Sequence, residues 1–163
     1  MIQTERLSLL PFTKEMVTAT IKGKDTLEDL IQLKVSSEWP NTDYAEILPF
    51  VEKQLIQNPG GSKWSYLIVN NSDQTVVGEV GCKGGPDENG LVEIGYGVVP
   101  SYQRKGIASE AVTGLVNWLQ QEPGVSRIVA ECLPTNVGSI RVLEKSRFVR
   151  TKTDEDMIYW EYK

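Results

Sequence analysis

A mixed α/β fold of the α+β kind is predicted, with a mostly antiparallel central sheet of about seven strands and about four flanking helices. Three observations predict it. The 163 residues carry no internal repeat, low-complexity segment or composition break, so 1–163 reads as one domain with a full core. Between Trp64 and Val99, strand-like apolar runs succeed one another across short polar turns, as antiparallel hairpins do. Runs with helical spacing stand before and after that block. The predicted order is β-α-α-β-β-β-α-β-α-β-β.

Thr4 to Pro11 is a short strand with Leu7 and Leu9 on one face, ended by Pro11. Thr13 is placed to cap a helix reaching about Lys22, and Asp25 to Leu33 is weakly helical. Trp39-Pro40-Asn41-Thr42-Asp43-Tyr44 is a break with turn chemistry. Ala45 to Gln57 is amphipathic through Ile47, Leu48, Val51 and Leu55, and Asn58-Pro59-Gly60-Gly61 closes it. Strands follow at Trp64–Val69, Thr75–Cys82 and Leu91–Val99. Gly106 to Gln121 is the main helix, with Ile107, Ala111, Leu115 and Leu119 on one stripe. Ser126–Leu133 is a strand, and Pro134-Thr135-Asn136 starts a short helix to about Ser146. A hairpin over Thr153-Asp154-Glu155 ends the order.

Composition removes several classes of chemistry. Apolar residues make up 40% and charged residues 24%, the balance of an ordinary globular protein. A net charge of −5 argues against a nucleic-acid partner, whose phosphates need clustered Lys and Arg. No apolar run approaches the length of a membrane span, and the first residues lack a signal-peptide pattern, so no membrane partner and a cytoplasmic location are expected. Cys82 and Cys132 fall in apolar strand patterns without metal-ligand spacing, so no metal is expected. The chain contains no histidine, which excludes Ser-His-Asp and Cys-His nucleophile systems. A general base must then be a carboxylate, or less often Tyr, Cys, Lys or a water chain.

The most informative stretch is the third strand of the block with the turn after it. In an undistorted strand Glu93, Gly95, Gly97 and Val99 share one face. Two mid-strand glycines mark a bulge or a place where a ligand meets the backbone. Pro100-Ser101-Tyr102-Gln103-Arg104-Lys105-Gly106 then leads into the helix beginning Ile107-Ala108-Ser109. A helix N-terminus offers free N–H groups and partial positive charge, so this turn suits a phosphate or pyrophosphate. An ordinary strand-to-helix turn carries the same residues, and an isolated strand glutamate such as Glu93 is most often simply solvated.

Glu93-Ile94-Gly95-Tyr96, Val98-Val99-Pro100, Gln103-Arg104-Lys105-Gly106-Ile107-Ala108 and Asn136-Val137-Gly138-Ser139, with Val142 to Lys145 and Phe148, together resemble the GNAT superfamily of N-acetyltransferases. Gln103, Gly106 and Ala108 match the family's loop pattern. The opening Thr4 to Leu9 looks like the branch that includes ribosomal-protein N-terminal acetyltransferases. The strong match spans 91–148.

The resemblance implies acetyl-CoA as co-substrate and direct transfer of its acetyl group to a primary amine, on a small molecule or a protein N-terminus. It implies that the pyrophosphate lies on Gln103, Arg104, Lys105, Gly106, Ile107, Ala108 and Ser109, and that the pantetheine arm pairs near Val98 and Val99. It implies a contact between Asn136 and that arm, with helix capping as the other reading of Asn136. Glu93 matches the family's base position, and Ser139 is the candidate proton donor to the thiolate. Many relatives use a Tyr seven residues after the Asn, and that position here is Leu143. The family also favours Gly before the last motif's Phe, where this chain has Arg147. The acceptor side implied by the fold is about Lys22 to Tyr44, with Glu38, Trp39 and Tyr44 as amine contacts, against a reading of them as packing and surface. The alternative function is a non-catalytic acyl-CoA-binding or regulatory module, which the missing Tyr keeps open; an interaction domain with an empty cleft fits the retained loop poorly.

Overall fold

A computed structural model describes residues 1–163. Its strands are β1 (Ile2–Gln3), β2 (Leu7–Pro11), β3 (Lys34–Val35), β4 (Ser65–Asn70), β5 (Thr75–Cys82), β6 (Leu91–Val98), β7 (Arg127–Cys132), β8 (Phe148–Thr153) and β9 (Ile158–Tyr162). The helices are α1 (Lys14–Lys22), α2 (Lys24–Ile31), α3 (Thr42–Gln57), α4 (Ile107–Leu119) and α5 (Val137–Lys145), with short 3-10 turns at Pro59–Trp64 and Pro100–Tyr102. This is the expected α/β class with a mixed sheet. The sheet order is β1-β2-β4-β5-β6-β7-β9-β8, and β3 adds a parallel rung to β5.

The strand count exceeds the expected one through β1 and β3, two residues each, which no periodicity can announce. The helix expected from Ala45 begins at Thr42, because Asn41 caps it by accepting the Tyr44 N–H at 2.8 Å. Turn residues and N-cap residues are the same residue types, so a break in the sequence became a helix start. Thr13 caps α1 as expected, accepting the Met16 N–H.

The sheet has two faces with different cover. On one lies α4, whose Ile107, Ala111, Val112, Leu115, Val116 and Leu119 are buried. Trp118 of α4 meets Tyr66, so Tyr66 and its β5 partner Val80 look to this face. Leu67 and its partner Glu79 look to the other, where Trp39, Phe12 and Tyr44 pack.

The feature that positions the site is a divergence between β6 and β7. They are parallel partners only at Leu91–Glu93 with Arg127–Val129. β6 stays bonded to β5 along its length, from Cys82 opposite Ile94 to Gly78 opposite Val98, and β7 stays with β9. Beyond Glu93 the facing edges of β6 and β7 therefore have no strand between them.

Candidate active site

The peptide groups of β6 can be assigned to its two edges. The Val99 N–H donates to Val77 O at 2.9 Å, and Glu93 O accepts from Lys83 N–H at 2.8 Å. Alternate residues of a strand turn their peptide groups to opposite sides, so Glu93, Gly95, Gly97 and Val99 bond to β5. Ile94, Tyr96 and Val98 face the gap. Val98 O is taken by the Gln103 amide at 2.8 Å, which ties the following loop back to the strand. Of the two residues expected to pair with an extended ligand, Val98 faces the gap, while Val99 has its N–H on Val77 and its carbonyl on the Tyr102 N–H.

The loop after the strand turns a run of unpaired N–H groups outward. Arg104 and Gly106 both adopt left-handed backbone, at φ 63 and φ 78. This turns successive N–H groups the same way, and none of the N–H groups of Arg104 to Ser109 has an acceptor within the chain. Gly106 caps α4 with no side-chain bond, so the first turn, Ile107, Ala108 and Ser109, presents its N–H groups outward. Arg104 and Lys105 are exposed and form no ion pair.

Sequence reasoning missed the brace behind this loop. Arg6 donates to Lys105 O at 2.9 Å and to Glu110 Oε2 at 2.7 Å, and Thr4 donates to the same carboxylate at 2.9 Å. Thr4-Glu5-Arg6 was legible as the start of a strand and as part of a family resemblance, but not as a brace, because its partners lie about a hundred residues away.

Asn136 is the N-cap of α5, its Oδ1 accepting the Ser139 N–H at 3.0 Å. Its amide nitrogen stays free of that bond. Ser139 lies on the first turn, half-buried, and its carbonyl accepts the Tyr96 hydroxyl at 3.3 Å across the gap. Burial pushes the Tyr96 phenol up to about 12. Leu143 is fully buried and belongs to the core. Arg147 takes the left-handed conformation, φ 71, that Gly would adopt without strain.

On the opposite face of β6, Glu93 pairs with Lys83 at 2.6 Å and is partly exposed. One more carboxylate stands there, and the sequence did not single it out. Glu79 lies directly across from Gly97 and is 9% exposed. Its Oε1 accepts the Trp39 indole N–H at 2.8 Å, and a Cβ at Gly97 would sit 2.4 Å from its Oε2. Burial pushes Glu79 up to about 7, with the Trp39 N–H acting in the other direction. Trp39, Tyr44 and Phe12 pack on one another with ring centroids 6.0 to 6.5 Å apart. Two of the three residues expected on the acceptor side, Trp39 and Tyr44, thus meet at Glu79. Glu38 turns away and accepts the Ser101 hydroxyl. The signal in the sequence was Gly97, whose missing side chain makes room for the carboxylate.

Chemically, the arrangement offers an N–H cradle for an anion, an unpaired strand edge for an extended amide-bearing arm, and carboxylates on the opposite face for a cation or a proton. The family profile described as an acetyltransferase (GNAT) domain matches residues 6–149. The chain is 34% identical over 163 residues to a Bacillus subtilis (strain 168) protein named uncharacterized N-acetyltransferase YjdG, covering 99% of this chain and 97% of that one. Its fold is similar to the ribosomal-protein-S5-alanine acetyltransferase of Vibrio fischeri, at a TM-score of 0.69 and 19% identity over 98% of this chain and 93% of that one. It is also similar to the microcin C7 self-immunity acetyltransferase MccE in complex with acetyl-CoA and AMP, at 0.66 and 17% over 97% and 92%.

Proposed function

The chain belongs to the GNAT acetyltransferase family, and on that premise we propose that it moves the acetyl group of acetyl-CoA directly from the thioester to a primary amine. The observation that carries this reading is the run of outward N–H groups from Arg104 to Ser109 beside the unpaired edge of β6. A pyrophosphate suits the first, since backbone dipoles and a helix N-terminus stabilise its charge. A pantetheine arm, which carries two amides, suits the peptide group of Tyr96 and the N–H of Val98, whose carbonyl is held by Gln103. The similarity to MccE, described with acetyl-CoA, agrees with that ligand.

In this reading Gln103 holds the loop against the strand, Arg6 braces it from behind, and the amide nitrogen of Asn136 is directed at the arm. The acceptor enters from the face that carries Glu93. Its nitrogen must lose a proton to expose a lone pair, attack the carbonyl carbon, and lose a second proton once the C–N bond has formed. Glu93 is the proposed proton acceptor, after Lys83 has released it. The carbonyl oxygen gains negative charge as it is attacked, and a strand N–H of the gap stabilises it. When the C–S bond breaks, its electron pair leaves on sulfur, and the Ser139 hydroxyl or a water protonates it. The acceptor is a small amine or a protein N-terminus, the latter in keeping with the Vibrio fischeri similarity.

Two measurements test the reading. Acetyl-CoA at about 100 times its dissociation constant stabilises a single-site protein by about 2.7 kcal/mol, so the melting temperature rises by several degrees. Free-thiol release across a panel of amines and peptides then reports transfer. No thermal shift at saturating acetyl-CoA overturns the donor assignment. A shift without thiol release on any acceptor favours the non-catalytic acyl-CoA module.

A further inference from the structure

We infer that Glu79 is a working carboxylate of the acceptor site: its Oε2 seats the acceptor's ammonium and takes the first of the two protons, and the acceptor is a primary amine on an unbranched arm. The inference rests on the acetyl-transfer reading and adds the group and the substrate class that this reading leaves open.

The geometry makes the assignment. Glu79 stands on β5 opposite Gly97, and Gly97 lies between Tyr96 and Val98, the residues whose peptide groups face the gap. An arm held on that edge runs from Val98 past Tyr96, so its thioester end lies between Glu79, whose Oε2 sits over Gly97, and Glu93. Glu93 lies four residues further along β6, about 13 Å at the rise of a strand. One oxygen of Glu79 is fixed by the Trp39 N–H, while Oε2 over Gly97 has no hydrogen-bond donor within the chain. Oε2 is not sealed from solvent, since the only fully buried side-chain polar atoms without a partner are Ser146 Oγ and Trp160 Nε1. An arriving ammonium can therefore reach a carboxylate oxygen that has no donor of its own.

The surroundings are otherwise apolar. Leu67 faces it from β4, Gly97 from β6, Trp39 from the segment before α3, and Tyr44 from α3. Tyr44 is the one titratable neighbour, and burial followed by the Glu79 charge keeps its phenol neutral. None of the six ion pairs includes Glu79. Glu79 is only 9% exposed and has Trp39 and Tyr44 beside it, and so narrow an approach favours a slender ammonium on a methylene arm over the branched α-carbon of a peptide N-terminus.

The protons balance. R–NH3+ gives one proton to the Glu79 carboxylate and becomes R–NH2. Nitrogen forms the C–N bond, the C–S bond breaks, and the second proton passes by Glu93 or water to the thiolate. Glu79 then releases its proton to solvent, so the sum is amide, thiol and one proton.

Glu79→Gln tests this, because the amide oxygen still accepts from Trp39 and the fold is kept. The expected result is a fall of about 100-fold or more in kcat/KM with the acetyl-CoA thermal shift unchanged, and loss of the ascending limb of the pH–rate profile near neutrality. Trp39→Phe removes the donor that favours the ionised carboxylate, so its ascending limb moves to higher pH. Unbranched alkylamines are expected to exceed peptides with a free α-amino group by at least about tenfold in kcat/KM. Wild-type kcat/KM and profile in Glu79→Gln, or an unmoved limb in Trp39→Phe, overturns the role of Glu79, and a preference for peptides overturns the acceptor class. A wild-type protein that transfers acetyl to no amine overturns the acetyl-transfer reading itself, an outcome visible before any variant is made.

Discussion

Glu79 and Glu93 look to the same side of the sheet and meet opposite environments. Glu93 is partly exposed and held by Lys83 at 2.6 Å, whereas Glu79 is buried with one indole N–H for support. Burial favours the neutral acid, which holds Glu79 at about 7 against an ordinary 4.5. The consequence for stability has a definite sign. A carboxyl whose folded pKa is raised stabilises the fold fully below 4.5, and that contribution is lost as pH rises toward 7. The loss amounts to roughly 3 kcal/mol at 1.36 kcal/mol per pKa unit. Urea unfolding of wild type and Glu79→Gln should show the variant gaining about that much on wild type between pH 4 and pH 8, with the difference flat above it. For Glu93, the isosteric Glu93→Gln should lower kcat by about 100-fold or more and leave acetyl-CoA affinity within about twofold. Steady-state kinetics with thiol detection read both; unchanged turnover on a good acceptor removes Glu93 from proton transfer.

At the scale of elements, the strand–loop–helix unit from β6 to α4 is the proposed donor side, and what it offers lies in the backbone. Gly106 holds φ 78, and a Cβ there would meet the Arg6 guanidinium at 3.3 Å. Gly106→Glu puts a side chain at a left-handed position and a negative charge beside the N–H cradle. Acetyl-CoA affinity should fall by at least about 100-fold, read by calorimetry or loss of the thermal shift; retained affinity would place the cofactor elsewhere. The α5 segment has a different logic. Leu143 occupies the position where many relatives carry a proton-donating Tyr, but it is fully buried in the core. Leu143→Tyr adds volume and a hydroxyl to a packed site, so it should destabilise by about 1–3 kcal/mol and bring no gain in turnover. Most of these elements were legible, because amphipathic spacing, Asn and Thr caps and glycine breaks are local signals. The exceptions, β1, β3 and the early start of α3, depend on a distant partner strand or on a residue with two local meanings.

The whole molecule is a sheet held open along one seam. β5 and β6 form one wing, β7 and β9 the other, joined by the short parallel pairing of Leu91–Glu93 with Arg127–Val129. Hydrogen exchange should report that seam directly. The Tyr96 and Val98 amides face the gap and should exchange quickly in the free protein, while Gly95 and Gly97, bonded to β5, should be slow. Acetyl-CoA should protect Tyr96 and Val98 and leave the two glycines unchanged; equal rates for all four in the free protein would contradict an open seam.

The sequence by itself pointed to the proposed donor side. An anion cradle needs only contiguous residues, since Gln103 to Ser109 set their own turn and expose their own N–H groups, and Asn136 caps its own helix. Tertiary structure alone added Glu79 to the proposed acceptor side, where the sequence had already named Trp39 and Tyr44. Glu79, Trp39, Tyr44 and Phe12 come from three separate stretches, and nothing in Val77-Gly78-Glu79-Val80 distinguishes a buried carboxylate from a solvated one. What makes Glu79 unusual is the loss of water around it. That loss depends on which rings the fold brings over it, and on a glycine on the next strand.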